Sequence, residues 1–146
     1  MAFEPSSPSS SSATSKTDQT SVDLEEYNDE VLSTMTEEER VKKSSDLKAE
    51  GNKFFLQGHY DEARQLYTQA IQLDPTVTAL YSNRAMCELK MEQHGLAIAD
   101  ATKAIELDST FAKAYYRRAS AHLSILDPKA ALPDLKMVLK LEPRNA

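Results

Sequence analysis

Five polar side chains with regular spacing are the residues of this chain best suited to bind a charged ligand. Lys48 and Asn52 are four positions apart, and Lys113 and Arg117 repeat that spacing. Asn83 lies between the two pairs, 31 residues after Asn52 and 30 before Lys113. Side chains four apart project from the same face of a helix. Two ammonium groups, a guanidinium and two amides supply positive charge and many hydrogen-bond donors. Their natural ligand is a pair of closely spaced carboxylates.

The elements that position these side chains follow from a 34-residue period between about Ser44 and Pro143. The same residue types recur three times at that interval: Leu47, Tyr81 and Tyr115; Gly51, Ala85 and Ala119; Ala63, Ala97 and Ala131; Ala70, Ala104 and Val138. A period of this length with two amphipathic segments per unit indicates a helical solenoid. Each unit stacks on its neighbour because it cannot bury its apolar face alone. The first helices of the units then lie side by side along a groove, where the five polar residues converge.

The period resembles that of the tetratricopeptide repeat family. The resemblance implies an all-α fold, a right-handed superhelical solenoid of three helix-turn-helix repeats over residues 36–77, 78–111 and 112–146. We predict helices at 37–57, 60–73, 77–91, 95–107, 111–124 and 128–141, and the terminal capping helix usual in solenoids is missing. Thr36 and Glu39 have the spacing of a capping box, and Asp127 precedes Pro128 as a helix cap. Pro133 predicts a kink or a late start of the last helix.

Composition limits the classes of function. The 146 residues carry a net charge of −6, but residues 1–39 hold ten acidic residues against one lysine, and the remainder is mildly basic. We therefore predict a disordered, Ser-rich and acidic tail over residues 1–35, with a short helix and a transient docking segment as the two alternatives for residues 23–34. We also predict an acidic partner for the repeats. The basic excess is too scattered for a nucleic-acid site, and no run is long and apolar enough to span a membrane. The single cysteine, Cys87, and the lack of a signal sequence predict a cytoplasmic location, with the nucleus as a second candidate.

Catalytic chemistry is not indicated. The three histidines, His59, His94 and His122, are far apart and have no metal-ligand spacing. Three glycines in the whole chain leave no phosphate-binding loop. We predict that this chain is not itself an enzyme and that it has no catalytic residue, metal site or cofactor.

The polar positions resemble the dicarboxylate clamp of repeat proteins that hold the Glu-Glu-Val-Asp tail of the heat-shock ninety and seventy chaperones. The resemblance implies that Lys48, Asn52, Asn83, Lys113 and Arg117 bind the tail's carboxylates. Phe55 and Met86, one helical turn after the two asparagines, are predicted to form an apolar pocket for the aliphatic residue of the tail. Charge-assisted hydrogen bonds of ~1.5–3 kcal/mol each, less the cost of ordering the peptide, predict roughly micromolar binding.

Three stretches resemble the N-terminal repeat domain of the type 5 serine/threonine protein phosphatases: MEQHGLA (91–97), DATKAIELD (100–108) and KAYYRRA (113–119). In that family the repeats inhibit the catalytic domain, and the resemblance implies an autoinhibitory contact for Glu92 in the loop of the second repeat. An intramolecular phosphatase domain is then a second partner. Two alternatives stay open: a non-enzymatic cochaperone adaptor that uses the same clamp, and a structural scaffold that uses the convex face or the acidic tail.

Overall fold

The computed structural model describes residues 25–145, and the regular structure in that range is helical. Its elements in chain order are α1 (Asp29–Ser33), α2 (Glu37–Leu56), α3 (Tyr60–Leu73), α4 (Thr78–Lys90), α5 (His94–Leu107), α6 (Ala112–Ser124), α7 (Pro128–Leu141) and a short 3-10 turn (Pro143–Asn145). Helices α2 and α3, α4 and α5, and α6 and α7 form three packed pairs, and α3 packs on α4 as α5 packs on α6. The predicted all-α architecture is confirmed.

The helix ends follow local capping chemistry. Thr36 Oγ1 accepts from the Glu39 amide at 3.1 Å, and the Glu39 carboxylate accepts from the Thr36 amide at 2.9 Å, so the predicted capping box is present. The predicted helix 37–57 ends one residue early, at Leu56, because the chain leaves the helix before Gly58, which has φ +83°. Helix α4 is one residue shorter at each end than predicted, α5 begins one residue earlier, and α6 begins one residue later.

Helix α7 runs through Pro133 as one element, so the predicted late start is wrong. Asp127 accepts from the Ala130 amide at 3.2 Å and Pro128 occupies the first turn, which begins the helix at the predicted place. The hydrogen bond that Pro133 cannot donate belongs to the second turn, where Pro133 and Lys129 are both exposed. Water can therefore satisfy the Lys129 carbonyl, which lowers the cost of an internal proline.

Small residues bring the helices close together. Eleven alanines are buried in the described residues: Ala63, Ala70, Ala85, Ala97, Ala101, Ala104, Ala112, Ala114, Ala119, Ala121 and Ala131. Gly51 is the tightest position, since a Cβ there would lie 2.8 Å from Cε1 of the buried Tyr67. A larger side chain in these columns would overpack the interface.

The segment before α2 is described from residue 25 and contains the helix α1, which agrees with the short-helix alternative for residues 23–34 and not with disorder up to residue 35. Tyr27 is 7% exposed and packs in the cluster that contains Leu47 and Tyr67, with Leu32 and Met35 against it. Gln69 Nε2 donates to the Glu25 carbonyl at 2.9 Å. The three apolar side chains cover the outer surface of the first helix pair, and this burial offsets the cost of ordering a short segment. Residues 1–24 of the predicted tail lie outside the described range.

Two equivalent arginines each make an ion pair within one repeat and a hydrogen bond to the preceding repeat. Arg84 makes two hydrogen bonds of 2.7 Å to Asp100 and one of 3.1 Å to Thr68. Arg118, 34 residues later, makes the same three bonds to Asp134 and Thr102. Each arginine therefore links the second helix of one repeat to both helices of the next. The recurrence of Arg, Asp and Thr at the 34-residue interval was available in the sequence but was not recognised as an interaction.

Candidate functional site

Helices α2 and α4 bring four predicted site residues to one cavity of about 310 Å³. Asn52 and Phe55 reach it from α2, Asn83 and Met86 from α4, and Leu56 and Tyr67 complete the lining. The asparagines lie at the polar part of the cavity, and Phe55 and Met86 supply apolar surface. The structure thus places the predicted apolar pocket and two of the five predicted clamp residues together.

Hydrogen bonds orient the two asparagines. Tyr67 donates its hydroxyl to Asn52 Oδ1 at 2.5 Å, and Asn83 Nδ2 donates to the same oxygen at 3.4 Å. Burial of Tyr67 raises its pKa above the usual value, so the hydroxyl keeps its proton and remains a donor. With its oxygen engaged, Asn52 presents its Nδ2 donors to a ligand. Sequence reasoning missed Tyr67, because nothing in its local pattern separates it from an ordinary core residue.

Arg117 is a partly desolvated cation without a carboxylate partner in residues 25–145. Its Nε is buried and has no hydrogen-bond partner there, and burial lowers the pKa of its guanidinium. The guanidinium makes a cation–π contact with the ring of Tyr116, whose centroid lies 5.9 Å from the guanidinium carbon. Arg84 and Arg118, by contrast, are each paired with an aspartate. A buried charge is costly when unpaired, so Arg117 is suited to receive an anion.

Two further depressions lie next to the first cavity. One of about 260 Å³ is lined by Met86, Leu89, Lys90, Tyr116, Arg117, Ser120 and Ser124. Another, also about 260 Å³, is lined by Ala112, Lys113, Tyr116, Val138 and Glu142. Neighbouring depressions share Met86 or Tyr116, so the three adjoin one another; together they are called the groove, and most of its lining comes from α2, α4 and α6.

Four of the five predicted clamp residues are distributed along this groove. Asn52 and Asn83 face the first depression, Arg117 the second and Lys113 the third. Lys48 lines none of the three, but it is half-buried one turn before Asn52 on the same face of α2. Sequence reasoning missed Lys90, Tyr116, Ser120 and Ser124. Lys90 lies 34 residues after Leu56, which lines the first depression. The repeat interval was therefore a signal that Lys90 occupies an equivalent position.

Glu92 lies away from these depressions, in the turn between α4 and α5. Its side chain is exposed and its backbone is left-handed, with φ 60°. Gly58 (φ 83°) and Leu126 (φ 64°) occupy the equivalent turns 34 residues before and after. The left-handed conformation is therefore a requirement of this turn, which glycine meets without strain and glutamate does not.

In the described part of the chain there is no further candidate for a metal site, a nucleophilic cysteine or a membrane-spanning helix. In residues 25–145 no three His, Cys, Asp or Glu side chains are grouped to hold a metal ion. Cys87 is fully buried, and burial raises the pKa of its thiol to about 12, which makes it a core residue and not a nucleophile. None of the helices in this range is both long and apolar enough to cross a membrane.

Profiles of one repeat family match the chain. A profile described as "TPR repeat" matches residues 51–86, and one described as "Tetratricopeptide repeat" matches residues 78–111, the limits predicted for the second repeat.

The relatives of this chain include a fungal and a human phosphatase. The chain is 48% identical over 99 residues to "Serine/threonine-protein phosphatase T" of Aspergillus oryzae, which covers 68% of this chain and 21% of that protein. It is 39% identical over 105 residues to human "Serine/threonine-protein phosphatase 5", covering 72% and 21%. The predicted resemblance to type 5 phosphatases is confirmed. The chain spans about a fifth of the length of these two relatives and matches their repeat part.

Solved structures agree with the fold. The "First TPR of Spaghetti (RPAP3) bound to HSP90 peptide SRMEEVD" superposes with a TM-score of 0.70 at 37% identity, covering 70% of this chain and 82% of that one. The second TPR domain of human RPAP3 "in complex with HSP70 peptide SGPTIEEVD" superposes with a TM-score of 0.67 at 35% identity, covering 74% and 88%. The predicted solenoid is confirmed, and the chain belongs to the tetratricopeptide repeat family.

Proposed function

We propose that the groove binds the acidic C-terminal tails of HSP90 and HSP70 chaperones through a dicarboxylate clamp. The clamp residues are Lys48, Asn52, Asn83, Lys113 and Arg117. The observation that carries the proposal is Arg117, a partly desolvated guanidinium with no acid partner in the described chain, beside an asparagine pair in the same groove. The peptides named with two similar repeat domains, SRMEEVD and SGPTIEEVD, both end in Glu-Glu-Val-Asp.

Each part of the groove has a role in this proposal. The amide donors of Asn52 and Asn83 hold one carboxylate, and Arg117 and Lys113 neutralise a second. The valine of the tail enters the apolar cavity of Phe55 and Met86. Charge-assisted hydrogen bonds contribute ~1.5–3 kcal/mol each. After the cost of ordering an extended peptide, affinity in the micromolar range is expected.

Calorimetric titration with SRMEEVD tests the clamp. Arg117→Ala should weaken binding by about tenfold or more, the equivalent of ~1.5–3 kcal/mol, and a peptide with an amidated C-terminus should lose a comparable factor. Lys103→Ala is the matched control, because Lys103 is an exposed residue of α5 outside the groove. Circular dichroism of each variant checks that helicity is retained. Unchanged affinity of both Arg117→Ala and Asn83→Ala would disprove the clamp and favour a structural scaffold.

A second proposal concerns regulation. In a protein that joins these repeats to a serine/threonine phosphatase domain, Glu92 inhibits the catalytic site, and a chaperone tail in the groove relieves the inhibition. Support comes from the exposed, left-handed position of Glu92, where the first repeat has glycine, and from the phosphatase relatives. Glu92→Ala in such a full-length protein should raise basal phosphatase activity, whereas Glu106→Ala on α5 should not. Equal basal activity in both variants would leave a recruiting adaptor as the better proposal.

The proposed binding of chaperone tails also leads to a proposal for where the protein is located in the cell. A protein that binds these chaperone tails is expected in the cytoplasm, and the nucleus is the second compartment to test. Imaging of a fluorescent fusion measures both.

A further inference from the structure

The hydroxyl of Tyr67 has a single acceptor among residues 25–145. It donates to Oδ1 of Asn52 at 2.5 Å and makes no second hydrogen bond in that range. Tyr67 is only 2% exposed, so bulk water has little access to the hydroxyl. If the amide of Asn52 turned over, its NH2 group would face the hydroxyl, and the buried proton would lose its acceptor. A buried donor without a partner is costly, so Tyr67 holds the amide of Asn52 in one orientation.

This orientation leaves Asn52 with donors alone. Its Oδ1 also accepts from Asn83 Nδ2 at 3.4 Å, so both lone pairs of the oxygen are used. Nδ2 of Asn52 has no partner in the described part of the chain, and both of its protons remain for a ligand. The residues that line the first depression include no charged side chain. The choice between an anion and a neutral group in this depression therefore depends on the polarity of the amide.

The repeat itself shows that the fold does not need a hydroxyl at this position. The residues equivalent to Tyr67 and to Asn52 at the 34-residue interval are Tyr67, Ala101 and Leu135, and Asn52, Met86 and Ser120. Apolar side chains of different size pack at the Tyr67 position in the second and third repeats. The phenolic hydroxyl occurs in the repeat that also has the asparagine. Packing alone would be met by phenylalanine, so the hydroxyl is explained by its bond to Asn52.

We propose that Tyr67 is a positioning residue that makes the first depression selective for a carboxylate over a carboxamide, because it fixes the polarity of Asn52. The inference rests on the proposed tail binding. With the hydroxyl in place, the depression offers N–H donors, which both oxygens of a carboxylate can accept. A carboxamide brings an NH2 group that finds no acceptor on Asn52. Without the hydroxyl, Asn52 can turn over and offer its oxygen to that NH2 group.

The test compares SRMEEVD with two analogues in which one carboxylate becomes a carboxamide: a C-terminal amide, and asparagine in place of the last aspartate. Each peptide is titrated calorimetrically into the wild type, Tyr67→Phe and Tyr81→Phe. Tyr81→Phe is the matched control, because it also removes one hydroxyl of a buried tyrosine, which donates to the Pro75 carbonyl at 3.0 Å. The wild type and the control should bind SRMEEVD about tenfold more tightly than at least one analogue, and Tyr67→Phe should reduce that ratio about three- to tenfold. Thermal unfolding checks that both variants are folded.

A second variant tests the polarity of residue 52 directly. Asn52→Asp keeps an acceptor for the hydroxyl of Tyr67 but removes both donors, so it should abolish the preference for the carboxylate. An intact preference in this variant would overturn the inference, since Asn52 would then not select the ligand.

Two further outcomes contradict the inference. If Tyr67→Phe weakens all three peptides by one factor, or leaves all three unchanged, Tyr67 serves core packing and does not position Asn52 for selection. That result leaves the wild-type preference for a carboxylate in place, so it overturns the role of Tyr67 and not tail binding. If the wild type binds all three peptides equally or binds none of them, the clamp and the role of Tyr67 are both wrong.

Discussion

Replacing Gly51 with alanine tests how core packing is connected to the groove. Gly51 lies in α2, against the ring of Tyr67, whose hydroxyl donates to Asn52 in the first depression. A Cβ at residue 51 would lie 2.8 Å from Cε1, 3.0 Å from Cδ1 and 3.2 Å from Cζ of that ring. The ring is rigid and Tyr67 is only 2% exposed, so it has little room to retreat.

The magnitude is a balance of two terms. Alanine is favoured over glycine inside a helix by about 1 kcal/mol. Carbon atoms in contact are about 3.5–4 Å apart, so the ring and α2 must separate by roughly 0.7–1 Å. Overpacking of this kind costs about 1–3 kcal/mol. The net expectation is a loss of about 1 kcal/mol in the free energy of unfolding, which lowers Tm by about 4 °C. Displacement of Tyr67 should also loosen Asn52 and weaken SRMEEVD binding several-fold.

The matched control is Gly95→Ala. Gly95 lies in α5, and no atom lies within 4 Å of the Cβ that would be added there. This variant should keep the benefit of alanine in a helix and gain up to about 1 kcal/mol. Urea unfolding followed by far-UV circular dichroism measures both variants, and peptide titration measures the effect on the groove. If Gly51→Ala proves at least as stable as Gly95→Ala, the packing argument is refuted.

Three further changes probe other features of the chain. Burial and the neighbouring Asp100 raise the pKa of Glu88 from 4.5 to about 8, against the opposing effect of Arg64. The folded state therefore retains a proton that the unfolded chain loses, and stability should fall as pH rises from about 4.5 to about 8. Urea unfolding at several pH values measures this, and Glu88→Gln should flatten the profile. An equally steep fall in the variant would contradict the raised pKa of Glu88. Asp134→Asn should cost about 2–4 kcal/mol, because it leaves the guanidinium of Arg118 partly buried without a counter-ion; a thermal shift of less than about 2 °C would show that the pair is not important for stability. Glu92→Gly should stabilise the fold by roughly 0.5–1 kcal/mol by relieving the left-handed strain, and a lower Tm would show that this turn is not strained.

Most of the helix framework was predictable because its causes are local or periodic. The capping box at Thr36 and the Asp127–Pro128 start of α7 depend on neighbouring residues alone. The 34-residue period identified which small residues lie in the helix interfaces. The errors arose where burial decided the outcome. Tyr27, in an acidic segment typical of disorder, becomes ordered because α2 and α3 offer it an apolar surface, and Pro133 is accommodated because its helix turn faces solvent.

The sequence by itself determined the repeat, its helices and some of the groove-facing residues, because helical spacing assigns residues to faces without further information. Only the tertiary structure decided how those residues meet. Tyr67 reaches Asn52 from the neighbouring helix. Among residues 25–145, Arg117 has no carboxylate partner, whereas Arg84 and Arg118 are each paired with an aspartate. These pairings depend on contacts between helices and on which charges are removed from water, and neither is encoded in spacing along one chain.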